Sequence, residues 1–493
     1  MLLVLLSVIS VLFCVWTWRM RTRFNPNTPP YYTGLYPIVG HIFLLLGNTA
    51  QLFYHLVQVA DECCKKGGVI RCVFGGQTYY VITDPEDIFT AANGCLNKHF
   101  AYDFAKPWLG DGLITSSGPI WKRHRHLLTQ SFSLPILHGF LGVFNKNSRI
   151  LVKTLSREVG KGLFDTIPYL SESLFISFCS TAVGIEALED KEFMSKYLEA
   201  VNILLGFIMM KFTKFWLQSE VVFKLTGLKQ QEDHVIRVVN DMYDAIIQKK
   251  RVSLKNKELA IHDPLASKGL KYRPLLDLIL ELSENNLFSD KEIRDELNSF
   301  TVAGYDTSSL TIAYTLMLLG THPDVQDRVH QEIQYIFGDT DRDVAKTDLS
   351  QLKYIDAVIK EALRLYPVAP ALLRHADKSV QLKKYTIPAG SEVILLIYGL
   401  NRHPVWGEDV HEFRPERWLQ PNSLHNTAFG SFSIGKRYCI GQHYAMMSVK
   451  TTIVHVVRNF RITSDISKLR LKMDFMLKPV EGCKIALELR NKQ

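Results

Sequence analysis

No CxxC pair and no regular spacing occur among the eight cysteines of this chain, Cys14, Cys63, Cys64, Cys72, Cys95, Cys179, Cys439 and Cys483. Their scatter excludes a disulfide framework and a zinc ribbon or finger, and it fits a body kept in a reducing compartment. No dense Lys/Arg run or nucleic-acid motif stands behind the net charge of +9, so DNA or RNA is not an expected partner. No GxGxxG fingerprint follows a strand, so the chain is not built to take hydride from a dinucleotide itself. Repeats of solenoid or propeller period and low-complexity tracts are missing as well. What remains is a globular composition, 47% hydrophobic and 22% charged over 493 residues, enough to bury a large core.

Charge is also missing from the first eighteen residues, MLLVLLSVISVLFCVWTW, and Arg19, Arg21 and Arg23 follow at once. No charged segment precedes the run and no Ala-x-Ala-like site comes after it, which argues against a cleaved signal. Eighteen apolar residues just span a bilayer, and the arginines place the rest of the chain in the cytosol. Residues 1–18 are therefore expected to be a transmembrane anchor. Residues 19–40 form a basic, Pro-rich connector (Pro26, Pro29, Pro30, Pro37), stiff enough to fix orientation. Residues 41–493 make the body.

Within the body, VIRCVFGGQTYYVIT alternates around a Gly-Gly turn and predicts strands over 69–90. Helical patterns dominate from about 120 to 380. Ser289 and Glu292 have capping-box form at the start of a helix that runs to about Leu319, stopped by Gly320 and Pro323. A second helix is expected from Pro323 to Gly338, and a third, LSQLKYIDAVIKEALRLYP, ends at Pro367. Residues 384–398 read as strands around a turn at Pro388–Gly390. The expected fold class is mainly α with a minor β portion, one large helical domain with small sheets.

One cysteine stands apart. Cys439 lies in SFSIGKRYCIGQ, a loop with Gly435 and Gly441 for backbone freedom and Arg437 for positive charge. A thiolate is a strong ligand for a soft or borderline metal, and backbone N–H groups in a tight turn stabilise it. By itself the loop leaves a buried structural cysteine as the plainer reading. The full pattern Phe432-x-x-Gly435-x-Arg437-x-Cys439-x-Gly441 resembles the haem-binding loop of the cytochrome P-450 monooxygenases. The resemblance implies that Cys439 is the axial thiolate ligand of haem b, whose electron donation favours O–O cleavage in this family. It further implies that Phe432 packs beside the sulfur and that Arg437 pairs with a haem propionate.

Other stretches carry the same resemblance. AGYDTSS, Ala303–Ser309, is similar to the family's distal-helix motif. Small Ala303 and Gly304 would leave room for a flat cofactor, and Thr307 shares a helix face with Ala303. In the family, the acid and alcohol that match Asp306 and Thr307 deliver protons for dioxygen reduction. Glu361 and Arg364, with Arg417 from FRPERW, resemble a structural triad. Trp121 and Arg125, spaced i, i+4, match the family's propionate-binding Trp-x-x-x-Arg, and Arg374 sits where many relatives place another propionate-binding arginine.

The resemblance extends to the microsomal, family-four (fatty-acid hydroxylase-related) members, particularly the insect branches. Many of these carry a Glu before the motif glycine, where it can esterify the haem. Ala303 stands there in this chain, which rules out such a link, and Tyr305 replaces a frequent His. The implied activity is insertion of one oxygen atom of O2 into an apolar substrate such as a fatty acid, hydrocarbon, terpenoid, hormone, pheromone or xenobiotic. Electrons would come from NADPH through cytochrome P-450 reductase at the endoplasmic reticulum membrane, with cytochrome b5 as a further donor and lipid as a neighbour. Lys436 and the cluster Lys122, Arg123 and Arg125 are the expected docking cations, with Arg125 shared with the haem. The competing classes are a redox-free haem-thiolate isomerase or dehydratase, which usually lacks the acid-alcohol pair, and a non-catalytic haem carrier. For Leu204–Phe223, which is apolar and aromatic, core packing and membrane contact remain equal expectations.

Overall fold

A computed structural model describes residues 2–22, 27–37, 39–184, 191–260, 273–285, 287–420 and 427–490. The chain divides into two compact units. One comprises Met1–His99, Ala369–Glu412 and Asn422–Tyr438; the other comprises Phe100–Val368, Phe413–Pro421 and Cys439–Gln493. The minor sheet therefore has a body of its own, because its strands come from segments far apart in the chain that pair with each other.

The first unit is organised by a five-stranded sheet. Val69–Phe74 and Gln77–Ile82 pair as an antiparallel hairpin in which Phe74 faces Gln77. Gly75 and Gly76 form its two-residue turn with φ of 56° and 84°, a turn only glycine-like residues take readily. Gln77–Ile82 then runs parallel to Ser391–Leu395. That strand pairs antiparallel with Leu372–Ala376, which in turn pairs with Asn97–Lys98 at the edge. Helix Thr49–Lys65 packs Ala60 and Cys63 against Ile70, Cys72 and Val81. The Pro-rich connector is fastened to this sheet. Arg71 donates from Nε to the Pro29 carbonyl at 2.7 Å, and its guanidinium lies 4.0 Å above the Tyr31 ring.

The second unit is built around the helix Asp290–Thr321. Ser289 and Glu292 do form the reciprocal cap. Thirty-two residues at 1.5 Å each make a rod of about 48 Å. It packs on Ile167–Phe178, Lys353–Leu365 and Gln442–Asn459, and every residue from Ser308 to Gly320 is buried. Its buried hydroxyls are satisfied within the helix: Ser308, Thr311 and Thr315 each donate to the carbonyl four residues back. Small antiparallel sheets, among them Leu471–Met473 with Leu477–Pro479, close the C-terminal part.

Several expectations need correction. The helix expected from Leu349 begins at Lys353, because the Glu332 carboxylate accepts from the N–H groups of Tyr354 and Ile355 at 2.7 and 2.9 Å and caps it there. Residues Ile397–Leu400 are a helical turn, not strand. Leu204–Phe223 is divided. Leu204, Phe207, Ile208, Leu217 and Phe223 are buried, while Phe215, Trp216 and Val221 are exposed. A buried Lys211–Glu232 ion pair at 2.6 Å accounts for one of the segment's charges. The N-terminal run does form a helix, Leu2–Thr22, with its apolar side chains from Leu2 to Val15 exposed. Among the described residues, however, no helix is long and apolar enough to cross a membrane. The stretch before Arg19 covers about 26 Å, short of a hydrocarbon core of about 30 Å. Arg23 and Pro26 lie outside the described residues.

Candidate active site

The residues singled out from the sequence fall in both units. In the first lie Arg374, Phe432, Gly435 and Arg437; in the second lie Trp121, Arg125, Ala303, Gly304, Asp306, Thr307 and Cys439.

In the first unit the loop before the cysteine is held by its own polar pattern. Asn401 donates to Ser431 Oγ at 2.8 Å and accepts from the Gly430 N–H at 3.0 Å. Phe432 lies beside Phe429, with ring centroids 6.3 Å apart. Ser433 takes a φ of 63° and Gly435 a φ of 71°. A Cβ on Gly435 would sit 2.9 Å from Asn93 Oδ1, the atom that accepts from the Lys436 N–H at 3.1 Å. Glycine is needed there for conformation and for clearance alike.

A cluster of cations lies in the same unit. Strand register sets Lys98 directly opposite Arg374, and like charges so placed are destabilising. Burial first, then the charges of Arg374 and Arg437, hold the Lys98 amine well below the ordinary lysine range. Arg374 is 2% exposed; its Nη1 donates to the Leu373 carbonyl at 2.9 Å, while its Nε is buried without a hydrogen bond. Strand alternation puts the nearby acid elsewhere: Glu392 is the register partner of His375 and accepts from it at 2.9 Å. Lys98 escaped sequence reasoning because a lone lysine near a short edge strand carries no signal. Only the register makes it a neighbour of Arg374.

In the second unit Cys439 is half-buried, just ahead of helix Gln442–Asn459. Burial pushes its thiol up, against the opposing pull of the Gly441 N–H and the Arg125 charge. Such a thiol stays protonated until a metal displaces the proton. Trp121 and Arg125 lie on helix Gly118–Thr129, started by Pro119, and Trp121 is buried. The structure thus brings Arg125 into electrostatic reach of Cys439.

The long helix opens at one place. Between Thr301 and Gly320, only Ala303, Gly304 and Thr307 are not buried. Thr307 donates to the Ala303 carbonyl at 2.7 Å. Gly304 has an additional reason to be small, since a Cβ there would meet the Phe178 ring at 2.5 Å. Asp306 does not join Thr307. It points to another side of the helix, where its Oδ2 lies 2.8 Å from Lys478 Nζ.

Two other sets of residues matter. Glu361 accepts from Arg364 Nε and Nη2 at 2.9 and 2.8 Å, from Arg417 Nε at 2.8 Å and from Trp418 Nε1 at 2.9 Å. This is the triad read from the sequence. Unforeseen was His124, fully buried, with Nδ1 2.6 Å from Glu296 Oε1. Burial pushes the Glu296 carboxyl up while His124 pulls it down. Its other oxygen accepts from the Leu113 N–H, and Asp295 accepts from the Asp111 N–H, so these two acids hold the segment after Trp108 on the helix. Arg123, read as a docking cation, is committed to Glu292 and the Leu287 carbonyl.

The family model described as Cytochrome P450 matches residues 29–484. The chain belongs to the cytochrome P450 family. A mouse protein named Cytochrome P450 4V2 is 32% identical over 475 residues, covering 94% of this chain and 90% of that protein. Cytochrome P450 4c21 of Blattella germanica is 32% identical over 460 residues, with 91% and 92% covered. Cytochrome P450 4c3 of Drosophila melanogaster is 30% identical over 477 residues, with 92% and 88% covered. This P450 therefore sits in the family-four clan, and it is a cytochrome P450 monooxygenase. Membership brings haem with cysteine-thiolate ligation, a need for dioxygen and electrons, and a redox partner such as a reductase.

The residues of each unit fit that cofactor. The first offers gathered cations and a buried, unbonded Arg374 Nε, which suit carboxylates. The second offers a thiol backed by a backbone N–H and a helix that, between Thr301 and Gly320, is uncovered only at Ala303, Gly304 and Thr307.

Proposed function

We propose that Cys439 is the thiolate ligand of haem b, and that the domain over 41–493 inserts one oxygen atom of O2 into an apolar organic substrate. Fatty acids, hydrocarbons, terpenoids, hormones, pheromones and xenobiotics are the classes in view. The observation that carries this reading is the turn ahead of Cys439, where Gly435 has a φ of 71° and a Cβ would sit 2.9 Å from Asn93 Oδ1. Bound haem supplies the activation of dioxygen. The protein supplies the rest. Within the first unit, Lys98, Arg374 and Arg437 are suited to a propionate carboxylate; within the second, Trp121 and Arg125 are assigned the same kind of contact. Phe432 packs beside the sulfur. Ala303 and Gly304 keep the helix face low, Thr307 holds a proton at Oγ1 there, and Asp306 supplies protons to that face.

Attachment to the endoplasmic reticulum membrane is assigned to helix Leu2–Thr22, whose exposed apolar side chains favour lipid. The exposed Phe215, Trp216, Val221 and Leu225 are a second contact. Electrons come from NADPH-cytochrome P450 reductase, with cytochrome b5 as an auxiliary donor. Lys436 and Lys122, both exposed, are the main docking cations, with Arg123 paired to Glu292 and Arg125 shared with the haem.

The deciding experiment is the reduced carbon monoxide difference spectrum. The wild-type protein should give the strongly red-shifted Soret band of thiolate ligation, and Cys439→Ala should lose it. Persistence of the band in the variant refutes the assignment.

A further inference from the structure

The geometry points to Lys478 as a positioning residue that restrains Asp306 and so governs proton supply to the Thr307 face. This rests on the reading of Asp306 as the proton-supplying acid.

Asp306 lies among residues that do not want a charge. Helix spacing places it in one stripe with Val302, Leu310 and Ala313, all buried, and its own side chain is only 8% exposed. A carboxylate there requires a partner. The Ser309 hydroxyl does not serve, since it donates to the Asp306 backbone carbonyl. Lys478 does, at 2.8 Å. Successive helix residues are rotated by about 100°, so an Asp306 held by Lys478 is turned away from the face that exposes Thr307. Thr307 meanwhile spends its hydroxyl proton on the Ala303 carbonyl.

The restraint can be released. The backbone beside Lys478 is fixed, because the Leu477 N–H donates to the Val368 carbonyl at 2.9 Å and Tyr314 Oη donates to the Leu477 carbonyl at 2.7 Å. The lysine side chain is 22% exposed, more than the carboxylate it holds. Its flexible four-carbon stem lets the ammonium leave for water while the hairpin stays. Asp306 cannot follow it to solvent by the same route without moving the helix. Once the pair opens, the freed carboxylate can turn toward Thr307. In this scheme the timing of proton supply is set by a side chain on the C-terminal hairpin.

The test uses the full-length haem-loaded enzyme with reductase and NADPH. The readouts are the fraction of consumed O2 released as hydrogen peroxide and the H2O/D2O isotope effect on NADPH oxidation. Lys478→Met should raise the peroxide fraction about threefold and bring the isotope effect close to 1, because protons then arrive without the restraint. Lys478→Arg, which keeps the ion pair, should stay within about 1.5-fold of wild type in both. Lys478→Gln serves if the Met variant fails to give a wild-type reduced carbon monoxide spectrum. Asp306→Asn separates the two levels. If it moves both readouts and neither Lys478→Met nor Lys478→Gln does, the role of Lys478 is refuted while that of Asp306 stands. If Asp306→Asn moves neither, the acid itself is wrongly assigned and the inference falls with it.

Discussion

Two buried charge clusters in this protein are built on opposite plans. Around Glu361, one carboxylate meets Arg364 and Arg417 with every side chain fully buried, and Trp418 and the Arg414 N–H complete the set. Around Lys98, the neighbours that shape its proton affinity are Arg374 and Arg437, cations like itself. The first cluster is closed and satisfied by the protein. The second gathers like charge, which favours binding an anion. Burial alone therefore does not tell the two clusters apart; the sign of the charges does.

The largest effect expected from this contrast is at the closed cluster. Glu361→Ala leaves two guanidiniums buried without their carboxylate and should cost about 3–5 kcal/mol, read as a loss of denaturant stability or of soluble protein. The same site gives a pH signature. Burial pushes the Glu361 carboxyl up, but Arg364 and Arg417 overrule it and the net position is below the ordinary value of 4.5. A carboxyl lowered on folding contributes stability that is present above 4.5 and lost as pH falls through the lower folded value. Wild-type stability should thus decline below about pH 4.5 more steeply than that of Glu361→Gln, measured by thermal melts across acid pH.

Next in size is Gly435→Ala. Its φ of 71° and the 2.9 Å approach to Asn93 Oδ1 should together cost about 1–2 kcal/mol, with faster haem loss. A wild-type melting curve for this variant would mean that the turn does not depend on glycine.

The smallest effect sharpens the comparison most. Lys98→Met should stabilise the haem-free protein by about 0.5–1 kcal/mol, because it removes a like charge opposite Arg374. It should also speed haem release about tenfold through loss of one charge-assisted bond. A variant that weakens both states would place Lys98 with the structural charges instead.

How legible the site was depended on whether the signal was local. The loop around Cys439, the Ser289–Glu292 cap and the Trp121/Arg125 spacing rest on residues within a turn or two of one another, and all were legible before the fold was seen. Lys98 opposite Arg374, His124 against Glu296 and Lys478 against Asp306 join residues 170 or more positions apart in the chain, and none was. The same distinction explains the misplaced start of helix Lys353–Leu365, which is set by Glu332, and the pairing of Arg123 with Glu292, 169 positions away in the chain.

Residue order alone was enough for the family, the capping box and the long helix, because the motifs and the cap act over short stretches of backbone. Which charges are satisfied was settled by packing in three dimensions. Asp306 and Thr307 are consecutive in the chain, yet one faces Lys478 and the other the open side of the helix, since about 100° of rotation separates neighbours on a helix and packing chooses what each one meets.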